Sequence, residues 1–423
     1  MEDLLFLAHR IPYPPNKGDK IRSFHILKQL ARSYRIHLGA FIDSPDDWRY
    51  VDEVSKLCGE TCFTGLNPFA ARLRSLKGLF HGQPLTLPYY FDRHMQDWVD
   101  KVVAETGVSR AFIFSSAMTQ YVRGSLTESM QCVIDFVDVD SDKWSQYSRK
   151  KSWPMSWIYR REAQTLLAYD REVAAEADAS IFVSAAECEL FTRLAPETRQ
   201  RVSCIENGVD VSYFTPEFQY ENPYSRLDKV LVFVGAMDYW ANVDAVTWFA
   251  RDIFPRIRER IPAACFYIVG SQPDEAVRRL GNLAGITVTG AVKDIRPYLA
   301  HSSMSVATLR IARGVQNKVL EAMAMGKPVL ATTAATQGLD FESGSGLMVS
   351  DEAAELASLA VGFLSGSPVS GNRLRQMVCN RYSWENNLAG IERLLEGVLP
   401  EGNRRDGNQS AVGDDKLSTP VAQ

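Results

Sequence analysis

Short apolar runs alternate with amphipathic stretches along most of this chain. Residues 4–8, 36–42, 111–116, 132–137 and 179–184 are such runs in the first half. Runs of this length predict buried strands. After the first of them, Ile21, Phe24, Leu27 and Leu30 fall at three-residue intervals, and residues 162–177 also read as helical. Both predict helices with one apolar face. The second half alternates more regularly. Strands are predicted at 230–234, 265–269, 286–288, 304–308 and 329–332, with helices at 243–257, after Pro273, near 294–301 and beside Val315, Val319, Leu320 and Met323. Strand and helix in alternation predict parallel, doubly wound sheets, hence an α/β protein.

The Asn207-Gly208 pair is a strong turn signal, and Pro216 and Pro223 flank a polar linker. The expected organisation is therefore one α/β domain over 1–211 and a second over 212–380. A final helix opens at Tyr382-Ser383-Trp384-Glu385 and occupies 381–400. From 401 to 423 the chain is rich in Gly, Asp, Ser and Asn and reads as a disordered tail.

Composition adds exclusions. With 423 residues, 46% of them hydrophobic, two domains can each bury a core. The formal net charge of −4 gives no reason to expect nucleic acid. Seven cysteines, an odd number with several in predicted strands, fit reduced buried thiols. Cys58 and Cys62 lack further nearby ligands, so no zinc site is expected. No apolar run approaches membrane-spanning length, and the acidic start Met1-Glu2-Asp3 does not open a signal peptide. The expected location is the cytosol.

Residues 313–328 concentrate the chemistry. Gly314 permits a close turn, and Gly326 with Pro328 ends the helix that follows. A helix start favours anions, because its first amides are unpaired and its dipole is positive there. Lys318 lies in the first turns, where it can meet a phosphate, and Glu321 is three residues on, so on the same face. A carboxylate there can accept bonds from ribose hydroxyls. Phosphate plus ribose means a nucleotide.

Gly314 to Pro328 resembles the sugar-nucleotide site of glycosyltransferase family 4. Arg313-Gly314-Val315-Gln316-Asn317-Lys318-Val319-Leu320-Glu321-Ala322-Met323-Ala324 is similar to a subgroup associated with the PEP-CTERM/exosortase exopolysaccharide system. The resemblance implies the GT-B fold: two Rossmann-like domains facing across a cleft, with a last helix crossing back to the first domain. It also implies a retaining, metal-independent transferase with no cofactor beyond its nucleoside-diphosphate sugar. Glu321 matches the second Glu of the family's Glu-x7-Glu motif; Arg313 stands where the first belongs. Gly235 matches the glycine loop beneath the donor diphosphate, though the usual Arg and Lys of that region are absent. Neutralisation then falls to Arg313 and Lys318. Val292 lies in a segment resembling the one that meets the base. Donor-binding candidates are thus Gly18, Gly235, Val292, Arg313, Gly314, Val315, Lys318 and Glu321.

Gly18 follows the first strand, where open α/β sheets bind ligands, but the loop lacks the dinucleotide pattern Gly-x-Gly-x-x-Gly. It resembles the family's first loop, near donor phosphates and acceptor. Lys17, Lys20 and Arg22 are candidates to meet phosphate there, unless they form a solvated basic loop. In Asp135-Phe136-Val137-Asp138-Val139-Asp140-Ser141-Asp142, four acids end a predicted strand. They lack the calcium-loop pattern. The resemblance assigns the residue facing the donor sugar to Asp138 first and Asp140 second; the alternative is a helix-capping cluster. Lys17, Arg22 and Asp140 are the acceptor-side candidates, and Asp138, Arg313 and Lys318 the catalytic ones.

From 143 to 161 the chain combines Trp144, Trp153 and Trp157 with Lys143, Arg149, Lys150, Lys151, Arg160 and Arg161. That composition suits either an anionic membrane surface or a helical hairpin covering the domain. The function expected is sugar transfer to a glycan or polyprenyl-diphosphate-linked acceptor, peripheral on the inner membrane in the first case. A non-hydrolysing sugar-nucleotide epimerase and a non-catalytic sugar-nucleotide-binding protein are the alternatives.

Overall fold

The computed structural model describes residues 1–15, 18–124, 130–224, 229–312, 315–339, 346–366 and 371–398. The first seven strands are β1 Glu2–Ala8, β2 Tyr34–Ile42, β3 Glu60–Gly65, β4 Arg110–Phe114, β5 Gln131–Val137, β6 Ala179–Phe182 and β7 Val202–Cys204. They form one parallel sheet in the order β3-β2-β1-β4-β5-β6-β7. The other six are β8 Val230–Val234, β9 Cys265–Val269, β10 Ile286–Gly290, β11 Met304–Ala307, β12 Val329–Ala331 and β13 Leu347–Val349. Their order is β10-β9-β8-β11-β12-β13, again parallel. Both sheets reverse strand order beside their first strand, the doubly wound pattern that opens a ligand crevice at the carboxyl ends.

The central strands are buried on both faces, as a parallel sheet covered by helices requires: Leu4 to Ala8 and Val230 to Val234 are all in the core. Ten helices matter below. They are α1 Gly18–Leu30, α2 Pro68–Ser75, α3 Asp140–Lys150, α4 Met155–Glu176, α5 Ala185–Leu194, α6 Trp240–Trp248, α7 Phe254–Arg260, α8 Asn317–Ala324, α9 Gly371–Arg381 and α10 Trp384–Leu395.

One element differs from the pattern's expectation, and another takes the helical form offered for it. The helix expected at 243–257 starts earlier, at Trp240, and runs through a π turn, Phe249–Ile253, into α7. Pro255, second in α7, has no amide to donate, and the wider turn before it absorbs the shift in the ladder. Residues 143–161 form most of α3 and the start of α4, a hairpin that closes at Trp153-Pro154.

The helix α10 packs on the first sheet. Leu388, Ile391, Leu394 and Leu395 join the buried cluster of Leu4, Phe6, Ile26 and Leu27. Val209 donates its amide to Tyr382 O at 2.8 Å, Trp384 stacks on His25 at 4.7 Å, and Arg375 of α9 donates to Val211 O and Phe214 O. The chain therefore crosses between the sheets twice, once after β7 and once before α10.

Candidate active site

On the second sheet, the chain leaves β11 and enters α8 at its second residue with Lys318. Val319, Leu320, Ala322, Met323 and Ala324 are buried, which anchors the helix and fixes the direction of its other face. The Lys318 ammonium donates to Asn242 Oδ1 at 2.5 Å and sits 4.1 Å from the centre of the Phe233 ring. Asn242 donates in turn to Ala236 O at 2.8 Å. One side chain thus ties the ammonium to the loop after β8.

Gly235 is part of the same assembly. A Cβ there would lie 2.8 Å from Asn242 Nδ2 and 3.2 Å from Lys318 Nζ. Only a residue without a side chain lets the ammonium approach that loop.

Burial pushes the Lys318 ammonium down to about 7, against the opposing field of Glu321. Burial likewise pushes the Glu321 carboxyl up to about 7, against Lys318. Both residues are partly buried as a whole. An ammonium and a carboxyl on one helix face, each pushed toward its neutral form by burial, are placed to respond to an added anion. Val315 and Val292 are partly buried, each packed against the second domain's core. Gly290 turns the chain before Val292 in the left-handed region, φ 71°.

A cavity of about 590 Å³ belongs to the first domain. Its lining runs from His9 to Leu166 and includes nothing from α8. Asp138 and Asp140 both border it, at the carboxyl end of β5. Lys143 donates to Asp138 Oδ2 at 2.7 Å and to Asp140 Oδ1 at 3.0 Å, so the acid cluster is partly neutralised from within. Nearby Tyr89, Tyr90, Trp144, Tyr147 and Tyr159 supply aromatic walls. Among the described residues no three His, Cys, Asp or Glu side chains gather as a metal site would need.

Two floor residues are held in strained backbone. Ser115 has φ 83° and Val137 has φ 65°, a conformation that a β-branched residue pays for at roughly 1–3 kcal/mol. Each follows or ends a strand next to the cavity, and the β5–β6 register shifts between Asp135 and Val137. The shift turns the chain so that Asp138 faces the cavity while Asp135 faces the core.

Gly18 is the first residue of α1, and a Cβ there would meet nothing within 4 Å. Arg22 is a correction. It is fully buried, donating to Asp135 Oδ2 at 2.7 Å, Ile205 O at 2.8 Å and Asn207 Oδ1 at 3.0 Å. It ties α1 to β5 and the crossover and does not meet a ligand's phosphate. Lys20 is also in the core, donating to Asp47 at 2.6 Å. The helical period explains both: α1 turns these two positions inward against the sheet. Lys17, Arg313 and Gly314 lie outside the described residues.

Asn242 stands near the position of the absent basic pair, and its bond to Lys318 gives it a part in the site. The aromatic walls were missed, although the Tyr89-Tyr90 pair after a Gly-Pro-rich stretch was a visible signal. His9 was missed as well. Its ring stacks on Phe114 and lies 3.7 Å from Asp19, whose carboxylate also pairs with Arg10.

Residues 228–365 match the family described as Glycosyl transferases group 1. No curated protein matches the chain in sequence. Among solved structures, sucrose-phosphate synthase from Thermosynechococcus elongatus is similar, with TM-score 0.64 and 16% identity over 94% of this chain and 98% of its own. Anabaena HepE, solved in complex with UDP and glucose, has TM-score 0.61 and 16% identity over 94% of this chain and 100% of its own. A glycosyltransferase from Rickettsia africae has TM-score 0.61 and 14% identity over 94% of this chain and 98% of its own. The fold is GT-B, and the family match over 228–365 supports glycosyl transfer. No helix among the described residues is long and apolar enough to cross a membrane.

Proposed function

We propose that this chain transfers a sugar from a nucleoside-diphosphate sugar, held at the start of α8, to a glycan or lipid-linked acceptor in the first domain's cavity. The single observation that carries the donor reading is the meeting of Lys318, Asn242 and Gly235, with Glu321 one turn along α8. It leaves an ammonium and a carboxyl spaced for a diphosphate and a pentose. HepE, of the same fold, was solved with UDP, which supports a uridine or related nucleotide here.

The chemistry asks little of a nucleophile. When the donor's anomeric C–O bond breaks, charge develops on the departing diphosphate. Protonated Lys318, the first amides of α8 and Arg313, which stands where the family has its first motif Glu, would stabilise that charge electrostatically. Glu321 holds the ribose and fixes the donor's position. Asp138, kept in place by Lys143, orients a hydroxyl of the donor sugar or acceptor. Retention of anomeric configuration, independence from added metal and a place in exopolysaccharide assembly follow from the family 4 resemblance. The aromatic cavity beside Asp138 favours a transferase over an epimerase, because a second sugar ring can stack there.

A thermal-shift screen of sugar nucleotides tests the donor. A ligand at 100 times its dissociation constant adds about 2.7 kcal/mol. A true donor raises the melting temperature of the wild type more than that of Glu321→Gln. NMR of the product's anomeric proton tests retention, and turnover unchanged by EDTA tests metal independence. If every sugar nucleotide leaves the melting temperature unmoved, the donor site is refuted.

A further inference from the structure

Two separate segments of the first domain present apolar side chains to solvent beside the same cavity. On α2 and its carboxyl-end cap, Phe69, Leu73 and Leu76 fall at i, i+4 and i+7 and are 72%, 56% and 48% exposed. Apolar residues at that spacing make one continuous stripe. At the α3–α4 hairpin, Trp153 and Trp157 are 80% and 54% exposed. Single exposed apolar residues are ordinary; a stripe and a tryptophan pair near each other are not.

The two segments belong to one surface. Arg72 and Ser75 of α2 line the cavity from one side, and Ile158 and Tyr159 of α4 from another. Arg161 of α4 donates to Gly78 O and Gln83 O, just beyond α2. Glu162 then accepts from the amides of Leu85 and Thr86, locking the base of the hairpin to the chain that follows α2.

Charge is distributed in the same way. The chain holds 51 acidic and 47 basic residues, yet residues 61–91 and 143–161 contain no Asp or Glu. The first segment carries Arg72, Arg74 and Lys77, and the second carries six Lys and Arg. Arg149, Lys150, Lys151 and Arg160 are exposed. An apolar centre with a basic surround and interfacial tryptophans matches the layered chemistry of an anionic bilayer, from acyl boundary to headgroup phosphate. A protein interface core, in contrast, is depleted of lysine.

From this we infer that α2 and the α3–α4 hairpin together dock the first domain on an anionic lipid surface, with the cavity's mouth at the headgroups. The inference rests on the reading of that cavity as the acceptor site. It extends the expected contact at 143–161 by a second element, α2, and makes the acceptor one that a membrane presents. Neither element suffices by itself: the hairpin supplies most of the charge and two anchors, and α2 supplies the longer apolar stripe.

Sedimentation of the full chain with vesicles tests it. Vesicles of equimolar phosphatidylglycerol and phosphatidylcholine should bind the wild type, and pure phosphatidylcholine at least about tenfold less. Raising the salt should release it. Phe69→Glu/Leu73→Glu on α2 and Trp153→Ser/Trp157→Ser on the hairpin should each weaken binding about tenfold or more, while Leu283→Glu on the second domain should not. These positions are exposed, so the variants should keep the wild-type melting temperature and donor response in the thermal-shift assay. Equal binding to neutral vesicles overturns the inference, and so does wild-type binding by the α2 variant. A dimer in light scattering that the α2 variant dissolves also overturns it, since a second copy would then cover the stripe. Vesicle binding without any donor response would instead refute the proposed transferase and leave the docking surface standing.

Discussion

The Lys318 ammonium and the Asn242 amide oxygen are 2.5 Å apart, with the Phe233 ring 4.1 Å away on another side. The lysine is held by a neutral partner, and its nearest opposite charge is Glu321 on its own helix. Such an ammonium has electrostatic capacity left for an anion. Charge-assisted bonds are worth roughly 1.5–3 kcal/mol. Lys318→Ala should therefore weaken donor binding about tenfold or more in calorimetry, with the melting temperature of the unliganded protein little changed. Wild-type donor affinity in that variant would remove Lys318 from the site.

The same pair makes donor binding depend on pH. Lys318 loses its proton as pH rises through about 7, because burial favours its neutral form. A diphosphate favours the ammonium, so binding pulls a proton onto Lys318. Donor affinity should fall as pH rises above about 7, and calorimetry in buffers of different ionisation enthalpy should show net proton uptake there. The unliganded protein behaves in the opposite sense at this residue. A lysine pKa below its unfolded value costs stability as pH falls from the ordinary lysine range toward 7. Glu321, raised to about 7, costs stability as pH rises from the ordinary carboxylate range to that value. Pure proton release on donor binding would contradict the assignment.

Gly235 tests the packing behind the site. Its alanine variant would place a methyl 2.8 Å from Asn242 Nδ2 and 3.2 Å from Lys318 Nζ. The amide would have to rotate or shift, and the ammonium would lose its acceptor. Gly235→Ala should lower donor affinity by an amount similar to Lys318→Ala, and combining the two should add little, since both act on one contact. Additive losses would show that the glycine serves a separate purpose.

Glu321→Gln removes the charge and keeps the shape. An amide oxygen accepts a hydroxyl proton less strongly than a carboxylate. Nucleoside-diphosphate affinity should drop about tenfold. A bare diphosphate that lacks the ribose should bind both forms alike, which the calorimeter reads directly. Equal loss for both ligands would mean that Glu321 acts only by tuning Lys318.

Much of this was legible in the sequence because it depended on local spacing. The central strands of both sheets followed from short apolar runs, the short edge strands β3, β7 and β13 did not, and the i, i+3 relation of Lys318 and Glu321 followed from the period of one helix. What escaped depends on contacts far apart in the chain. Asn242 reaches Lys318 across 76 positions. The aromatic cavity is assembled from residues between His9 and Leu166, which no single window contains. Charge was misleading where burial overrode it: Lys20 and Arg22 looked like a basic loop, and the period of α1 carried both into the core.

That core placement yields the last prediction. Arg22 and Asp135 are both fully buried, and the guanidinium also holds Ile205 O and Asn207 Oδ1, at the chain's first crossing between the sheets. Its second terminal nitrogen, Nη2, is buried without a partner, so the pair is not perfectly satisfied. Breaking a buried pair by removing one member typically costs about 3–5 kcal/mol, because the other charge is left unpaired in the core. Arg22→Met should destabilise the first domain by that amount in urea unfolding, monitored by its transition alone, and Asp135→Leu should do likewise. The double variant should recover a large part of the loss, since neither charge then remains buried. Donor binding at α8 should be unaffected wherever the variants stay folded. An Arg22→Met protein of wild-type stability that fails to bind substrate would reverse the assignment and return Arg22 to the ligand.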